Sequence, residues 1–258
     1  MKKLLSPAVG ARASGFVWVS TLWSLSLSTL LVAAEVDAPK TLLASAGKLL
    51  VDDAMTVESE GKSDLKWRAA KGKWTRSAEG TAVEELEADK HGAVARLPLK
   101  LGNFILSVDV RLDGARSASI SINDPKEHVA RVALSPANFT VRKDDHDHDG
   151  PDLAVVFFNS TEKLEAGKWH SVVLEMVGDT MVATLDGKVT GWGSNELFKA
   201  EKANPGLTVA GQTASFRNLR IWEAAAQPKD SWSERKAELP VPNTKPSQPA
   251  AKKPAAAK

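Results

Sequence analysis

The chain has 258 residues, 43% of them hydrophobic and 26% charged, and a net charge of only +2. So small a charge gives no ground for expecting nucleic acid or an anionic membrane surface as a partner. Cysteine is absent, which excludes disulfides, thiolate zinc sites, a thiol nucleophile and a lipid-anchored N-terminal cysteine.

Residues 1–34 read as a signal peptide. Lys2 and Lys3 supply the charged start, residues 16–33 the apolar run, and Val32-Ala33-Ala34 a small-residue cleavage site before Glu35. The run is long and dotted with serine and threonine, so a retained N-terminal anchor is the alternative. Either way the folded part is expected outside the inner membrane, periplasmic or secreted. Residues 35–64 read as a linker, with at most a weak helix over 36–50.

From residue 65 the pattern turns to β. Lys66-Trp67-Arg68-Ala69 and Gly72-Lys73-Trp74-Thr75 come first, separated by glycine and charge. Residues 92–97 and 104–112 follow. In the latter Phe104, Leu106, Val108, Val110 and Leu112 alternate with Ile105, Ser107, Asp109 and Arg111. A separate strand is predicted over 117–123, where Ser117, Ser119, Ser121 and Asn123 alternate with Ala118, Ile120 and Ile122. Strands over 128–134 and 138–141 lead into an acidic loop, and 154–158 leads out. Residues 169–177, 181–185 and 188–192 form a hairpin series turning at Gly178-Asp179 and Asp186-Gly187. Residues 206–210 and 215–222 close the domain.

About a dozen short strands with regular turn signals and no convincing amphipathic helix predict an all-β antiparallel sandwich over 65–223. Residues 224–258, rich in Pro, Ala and Lys, are expected to form a disordered tail. Its lysines serve solubility and reach, or grip an acidic wall polymer.

The most conspicuous stretch is Arg142-Lys143-Asp144-Asp145-His146-Asp147-His148-Asp149-Gly150-Pro151-Asp152, with five aspartates and two of the chain's five histidines. Carboxylates this dense are either solvated or neutralised by a cation or basic groups. Asp145-x-Asp147-x-Asp149-Gly150 has the opening of a calcium loop, and Asp152 could add a fourth oxygen ligand. The twelfth position from Asp145 is Val156 in place of a closing carboxylate, so this is no EF-hand. His146 and His148 could instead hold zinc if His128 or His170 supplied a third ligand, a weaker fit. A solvated hairpin loop balanced by Arg142 and Lys143 is the third reading.

The polar sides of 104–112 and 117–123 form a second candidate. Asp109 and Arg111, with Ser119, Ser121 and Asn123, put a carboxylate, a guanidinium, hydroxyls and an amide on one sheet face, and Arg131 and Arg142 could join from neighbouring strands. Sugars need such planar, bidentate partners. The solvent face of an ordinary sheet looks the same. Trp74, Trp169 and Trp222 lie in strand-like runs and are expected in the core. His170 reads as a hydrogen-bonding edge residue.

Five segments in order carry a resemblance: Gly72-Lys73-Trp74, Gly167-Lys168-Trp169-His170, Gly178-Asp179, Asp186-Gly187-Lys188, and Phe216-Arg217-Asn218-Leu219-Arg220-Ile221. Over residues 65–223 the chain resembles the secreted 3-keto-disaccharide hydrolase domains, which share the concanavalin-like, laminin-G-like jelly roll. The resemblance implies a curved sheet that binds sugar and, in some members, cleavage of 3-oxo-glycosides. It departs where such domains usually carry an Asn-Ser-Gly turn, here Ser117-Ala118-Ser119, and a Tyr-Glu pair, here near His128-Val129-Ala130-Arg131.

Glycoside hydrolysis ordinarily needs two carboxylates, and the Glu-x-Asp-x-Glu strand of laminarinase-type jelly rolls is absent. If the chain is a hydrolase or lyase, Asp109 and His128 are the expected acid/base residues, with Arg111, Ser119, Ser121, Asn123, Arg131 and Arg142 holding substrate. Asp145, Asp147, Asp149 and Asp152 would carry Ca2+ beside them. The alternatives are a carbohydrate-binding module without chemistry, and an adhesion domain whose acidic loop meets a protein.

Overall fold

β-Branched and aromatic residues alternating with polar ones commit most of this chain to strands, and the order in which they pair decides where the polar faces end up. The computed structural model describes residues 37–62, 65–146, 153–227 and 229–247. The signal-peptide segment and the loop residues 147–152 lie outside them. Among the described residues no helix is long and apolar enough to cross a membrane. In chain order the strands are β1 (Ala44–Asp53), β2 (Arg68–Lys71), β3 (Lys73–Arg76), β4 (Thr81–Glu84), β5 (Ala93–Arg96), β6 (Lys100–Leu101), β7 (Phe104–Asn123), β8 (His128–Ser135), β9 (Asn138–Lys143), β10 (Val155–Ser160), β11 (Trp169–Val177), β12 (Thr180–Leu185), β13 (Val189–Ser194) and β14 (Lys202–Ala226), followed by helix α1 (Lys229–Ala237).

Two long strands organise the rest. The strands expected at 104–112 and 117–123 are one, β7, and those expected at 206–210 and 215–222 are one, β14. The two pair antiparallel almost end to end, with register shifts clustered between Ala210 and Ala214. Gly114 (φ +96°) and Gly211 (φ +96°) sit in that stretch, in a region that side-chain-bearing residues avoid. A Cβ on Gly211 would lie 2.6 Å from the Arg116 nitrogen. Bulges bend strands and re-aim their faces, so each long strand serves two layers.

The first half of β7 pairs with β11, which continues through β12 to β13. The second half pairs with β8, which continues through β9 to β10. β14 likewise pairs with β5 over its first half, then with β4, and finally with β1. The layers close where β10 meets β13 without pairing: side chains on Gly191 and Gly193 would collide with Phe158 and Phe157. Leu106, Val108, Val110, Leu112, Ile120 and Ile122 of β7 are all buried in the shared core.

Both flanks differ from expectation. Within the expected linker, residues 44–53 form β1, paired with β14 from Ala44↔Ala226 to Asp53↔Leu219. Ala-Ser-Ala-Gly-Lys has no strand pattern of its own, and its partner lies at the far end of the chain. Buried Glu175 fastens the entry, accepting the backbone N–H groups of Leu42, Leu43 and Ala44 at 2.9, 2.8 and 2.8 Å. Burial pushes its carboxyl above the usual range although these donors pull the other way.

Of the expected disordered tail, the described residues 229–247 pack against the sandwich, while 248–258 lie outside the described residues. Trp232 of α1 meets Trp192 edge-on at 5.8 Å, and Trp192 Nε1 donates to the Pro240 carbonyl. Asn243 N donates to Phe157 O, and Ser247 N to Ala154 O, so the chain runs along the edge of β10. An edge strand offers unpaired backbone groups to any segment able to reach it, which composition alone does not reveal.

The kink gives a direct test. Gly211→Ala should cost about 2 kcal/mol, from forced positive φ and contact with Arg116. Gly102→Ala has open space around it and should change stability by less than about 0.5 kcal/mol. Urea unfolding of both variants measures the difference.

Candidate functional site

Past the kink, the outward residues of β7 behave unlike those of an ordinary solvent face. Ser119, Ser121 and Asn123 are 5%, 2% and 3% exposed although they point away from the core. Neighbouring strands rise around them. Ser119 shares a hydrogen bond with Thr208 of β14, whose own position faces the same way. A Cβ on Gly206 would lie 2.7 Å from Ser121 Oγ, so the glycine leaves that hydroxyl its place. The result is a groove of about 240 Å³ lined by Ser117, Ser119, Ser121, Thr208, His128, Arg131, His91, Arg96 and small side chains such as Ala93 and Ala210.

One end of the groove is built from Asn123 and His128, paired across the β7–β8 turn. Asn123 Nδ2 donates to the Asn204 carbonyl at 2.7 Å, so its Oδ1, 2.6 Å from His128 Nδ1, acts as acceptor. His128 Nδ1 therefore carries the ring proton, and Nε2 is the basic nitrogen of the neutral ring. Burial, then the positive charge of Arg131, push the imidazole below its usual value, against a smaller pull from Asp144. His128 is thus held neutral near pH 7.

Arg131 stands beside it on β8. Burial lowers its pKa, while Asp144 opposes that shift from 3.2 Å. The same carboxylate lies 2.7 Å from Arg142 Nε on β9. The Arg142 contact is too poorly aligned to be a hydrogen bond and is ionic in character. Asp144, 5% exposed, is thereby held between two guanidiniums. It opens the acidic loop, and its N–H donates to Val129 O next to His128. The loop's described start therefore sits at the histidine end of the groove.

The rest of that loop reads less simply. Lys143 Nζ donates to the Leu153 carbonyl, and His146 Nε2 lies 2.7 Å from Asp124 Oδ2. Asp145 is half-buried. Asp147, Asp149 and Asp152 lie outside the described residues, as does His148. Among the described residues no cluster of His, Asp and Glu is arranged to hold a metal ion. The zinc set does not assemble among them: His146 faces Asp124, His128 faces Asn123, and His170 Nδ1 faces Asp186 on the β12–β13 turn. His170 makes the hydrogen bond expected, but it is buried, on a strand between β7 and β12 and not at an edge.

The structure separates Asp109 and Arg111 from this site. They occupy the first half of β7, before the kink, on the outer face of the other layer. Asp109 accepts from Arg217 Nε at 3.1 Å and Asn218 Nδ2 at 2.9 Å. Arg111 pairs with Asp113 at 2.9 Å and Glu79 at 3.3 Å. Trp169 lies beneath both guanidiniums, 4.2 Å from Arg217 and 4.7 Å from Arg111, so it is an outer stacking platform and not a core residue. Trp222 is buried as expected. Strict alternation assigned Asp109 and Ser119 to one face, and along the chain that parity holds. The intervening bend sends the two halves to opposite layers, so Asp109 and His128 share no site.

Ser119, Ser121, Asn123, Arg131 and His128 do come together, and Arg142 joins through Asp144. Thr208, Arg96 and Asn204 escaped the sequence reading. Thr208 was legible as the polar position alternating with Leu207 and Val209, but its pairing with Ser119 needed the topology.

The profile of a family described as a 3-keto-alpha-glucoside-1,2-lyase-like domain matches residues 54–222. A carbohydrate-binding module of family 66 from Bacillus subtilis shares the fold, with a TM-score of 0.50, 16% identity, and 62% of this chain covering 98% of that one. A protein of unknown function with a galectin-like fold, also from Bacillus subtilis, gives a TM-score of 0.53 at 12% identity, with 71% of this chain covering all of that one. No curated protein matches the chain in sequence.

His128 provides the test. A histidine whose folded pKa is depressed contributes stability that is fully present above the usual imidazole value of 6.5 and is lost as pH falls through it. NMR titration of the ring should give a midpoint below 6.5, and Arg131→Gln should raise it. A midpoint at or above 6.5 contradicts the half-buried, Arg131-facing placement.

Proposed function

We propose a carbohydrate-active role for this protein, and the premise is its family: the chain belongs to the 3-keto-alpha-glucoside-1,2-lyase-like domain family, with a jelly-roll fold. The specific reading is an exported lyase acting on 3-oxo-α-glucosides in the groove of Ser119, Ser121, Thr208, His128 and Arg131. The observation that carries it is the neutral imidazole of His128 beside the half-buried guanidinium of Arg131, over a floor of the buried Ser119 and Ser121 hydroxyls.

The chemistry suits one base better than two carboxylates. A ketone at C3 acidifies the proton on C2. His128 Nε2 takes that proton, the C1–O1 bond breaks with its electron pair leaving on O1, and a C1=C2 double bond forms. O1 collects a proton, and no water is consumed. Negative charge develops on the C3 oxygen, where Arg131 would stabilise it. Ser119, Ser121 and Thr208 would orient sugar hydroxyls, and Arg142 would act through Asp144. This accounts for the absence of a paired-carboxylate strand, which hydrolysis would ordinarily require.

Export rests on the signal-peptide pattern, and a Ca2+ ion on Asp145, Asp147, Asp149 and Asp152 rests on carboxylate spacing; calorimetric titration with Ca2+ tests the latter, and no heat removes it. A binding module keeps the groove without turnover.

Incubation with 3-oxo-maltose, followed by mass spectrometry in ¹⁸O water, separates the readings. Elimination should release glucose and an unsaturated keto sugar, neither carrying ¹⁸O in the bond-breaking step, whereas hydrolysis incorporates it. His128→Asn should lower the rate about 100-fold or more. Binding without turnover supports the module, and neither binding nor turnover contradicts the assignment of the groove.

A further inference from the structure

Among the described residues the groove has no aromatic platform, yet the opposite side of β5 has one. Val94 and Arg96 line the groove, while Ala95 lines a cleft containing Trp67 and Trp74. This cleft, about 370 Å³, also takes in Glu60, Thr75, Arg76 and Thr81. It adjoins a second cavity of about 300 Å³ through Glu60, Trp67 and Arg76, which line both. No residue is shared with the groove.

The plain explanation is that two indoles plug the edge of the sandwich, and both do pack against the core. A plug alone accounts poorly for two features. Both tryptophans remain half-buried beside open volume instead of filling it. The Nε1–H of Trp67 is buried and has no acceptor among the described residues, whereas that of Trp74 donates to Lys71 O at 2.9 Å. A buried donor without a partner costs about 1–3 kcal/mol.

The polar groups are set for the same occupant. Arg76 is held rigid by Asp53 at 2.9 Å and by the Thr56 carbonyl at 3.0 Å. Glu60 and Thr75 are exposed at the rim. Burial pushes the Asp53 carboxyl up, but the hydrogen bonds from Arg76, the Met55 N–H and Ser59 outweigh it, leaving it below the usual range. The Asp53 charge therefore persists and keeps Arg76 fixed. Flat apolar faces bordered by a carboxylate, a hydroxyl and a fixed guanidinium suit a pyranose, whose C–H face stacks while its rim hydroxyls pair.

We propose that the Trp67–Trp74 cleft is a second, non-catalytic glycan-binding site, taking an uncharged pyranose unit of an oligosaccharide. Glu60 accepts from a ring hydroxyl, and the indoles supply the stacking surface. The site rests on its own residues and stands whether or not the groove performs elimination.

The test is an indole ¹H–¹⁵N NMR titration of the protein with maltotetraose and, separately, cellotetraose. The Trp67 and Trp74 indole signals should shift saturably with at least one of them, at millimolar affinity, while that of buried Trp222 stays put. Glu60→Ala, a change at an exposed residue, should weaken binding about three- to tenfold, and Trp67→Ala more than tenfold. Arg131→Gln, which alters only the groove, should leave the shifts intact. Stationary Trp67 and Trp74 signals with both sugars overturn the proposal. So do shifts that survive both cleft variants unchanged, or shifts that vanish with Arg131→Gln.

Discussion

Everything in this fold leans on the antiparallel pairing of β7 with β14 and on the glycine-permitted kink they share. Between Gly114 and Gly211 the ladder slips, and both strands pass from one layer to the other. A straight pairing would lay Asp109, Arg111, Ser119 and Ser121 along a single ribbon. The bend instead yields two chemically distinct outer faces. One is a salt-bridged surface stacked on Trp169, and the other a groove with buried hydroxyls. Position along the strand, more than residue type, decides which face a polar side chain serves.

The groove is then assembled by short-range restraints. Asn204, just before the Pro205-Gly206 step, sets the Asn123 amide, and that amide sets the His128 tautomer. Asp144 gathers Arg131 and Arg142. Each link is a local hydrogen bond or ion pair, but the partners come from β7, β8, β9 and β14. A neutral imidazole beside a half-buried guanidinium follows from that convergence.

Much of this was legible in the chain itself. Alternation through 104–112 and 117–123 correctly identified core and outward residues, and the hairpins at Gly178-Asp179 and Asp186-Gly187 fell where turn chemistry put them. Residues whose structure depends on a distant partner were not legible. Residues 44–53 have no strand pattern and become β1 because β14 supplies an edge. Residues 243–247 look like tail and lie along β10 for the same reason. Asp109 was grouped with Ser119 and Ser121 because parity survives a bend while direction does not. Trp169 looked like core because alternation cannot tell a buried indole from one covered by two arginines.

The claim on which the functional reading depends is that substrate lies over Ser119 and Ser121, with its reacting carbons between His128 and Arg131. A crystal structure of the His128→Asn variant soaked with a 3-oxo-α-glucoside tests it most directly. Sugar density in the groove, with C2 facing residue 128 and the C3 oxygen facing Arg131, is the predicted result. Density against the Asp109–Arg111 face, with the groove unaltered, would contradict it.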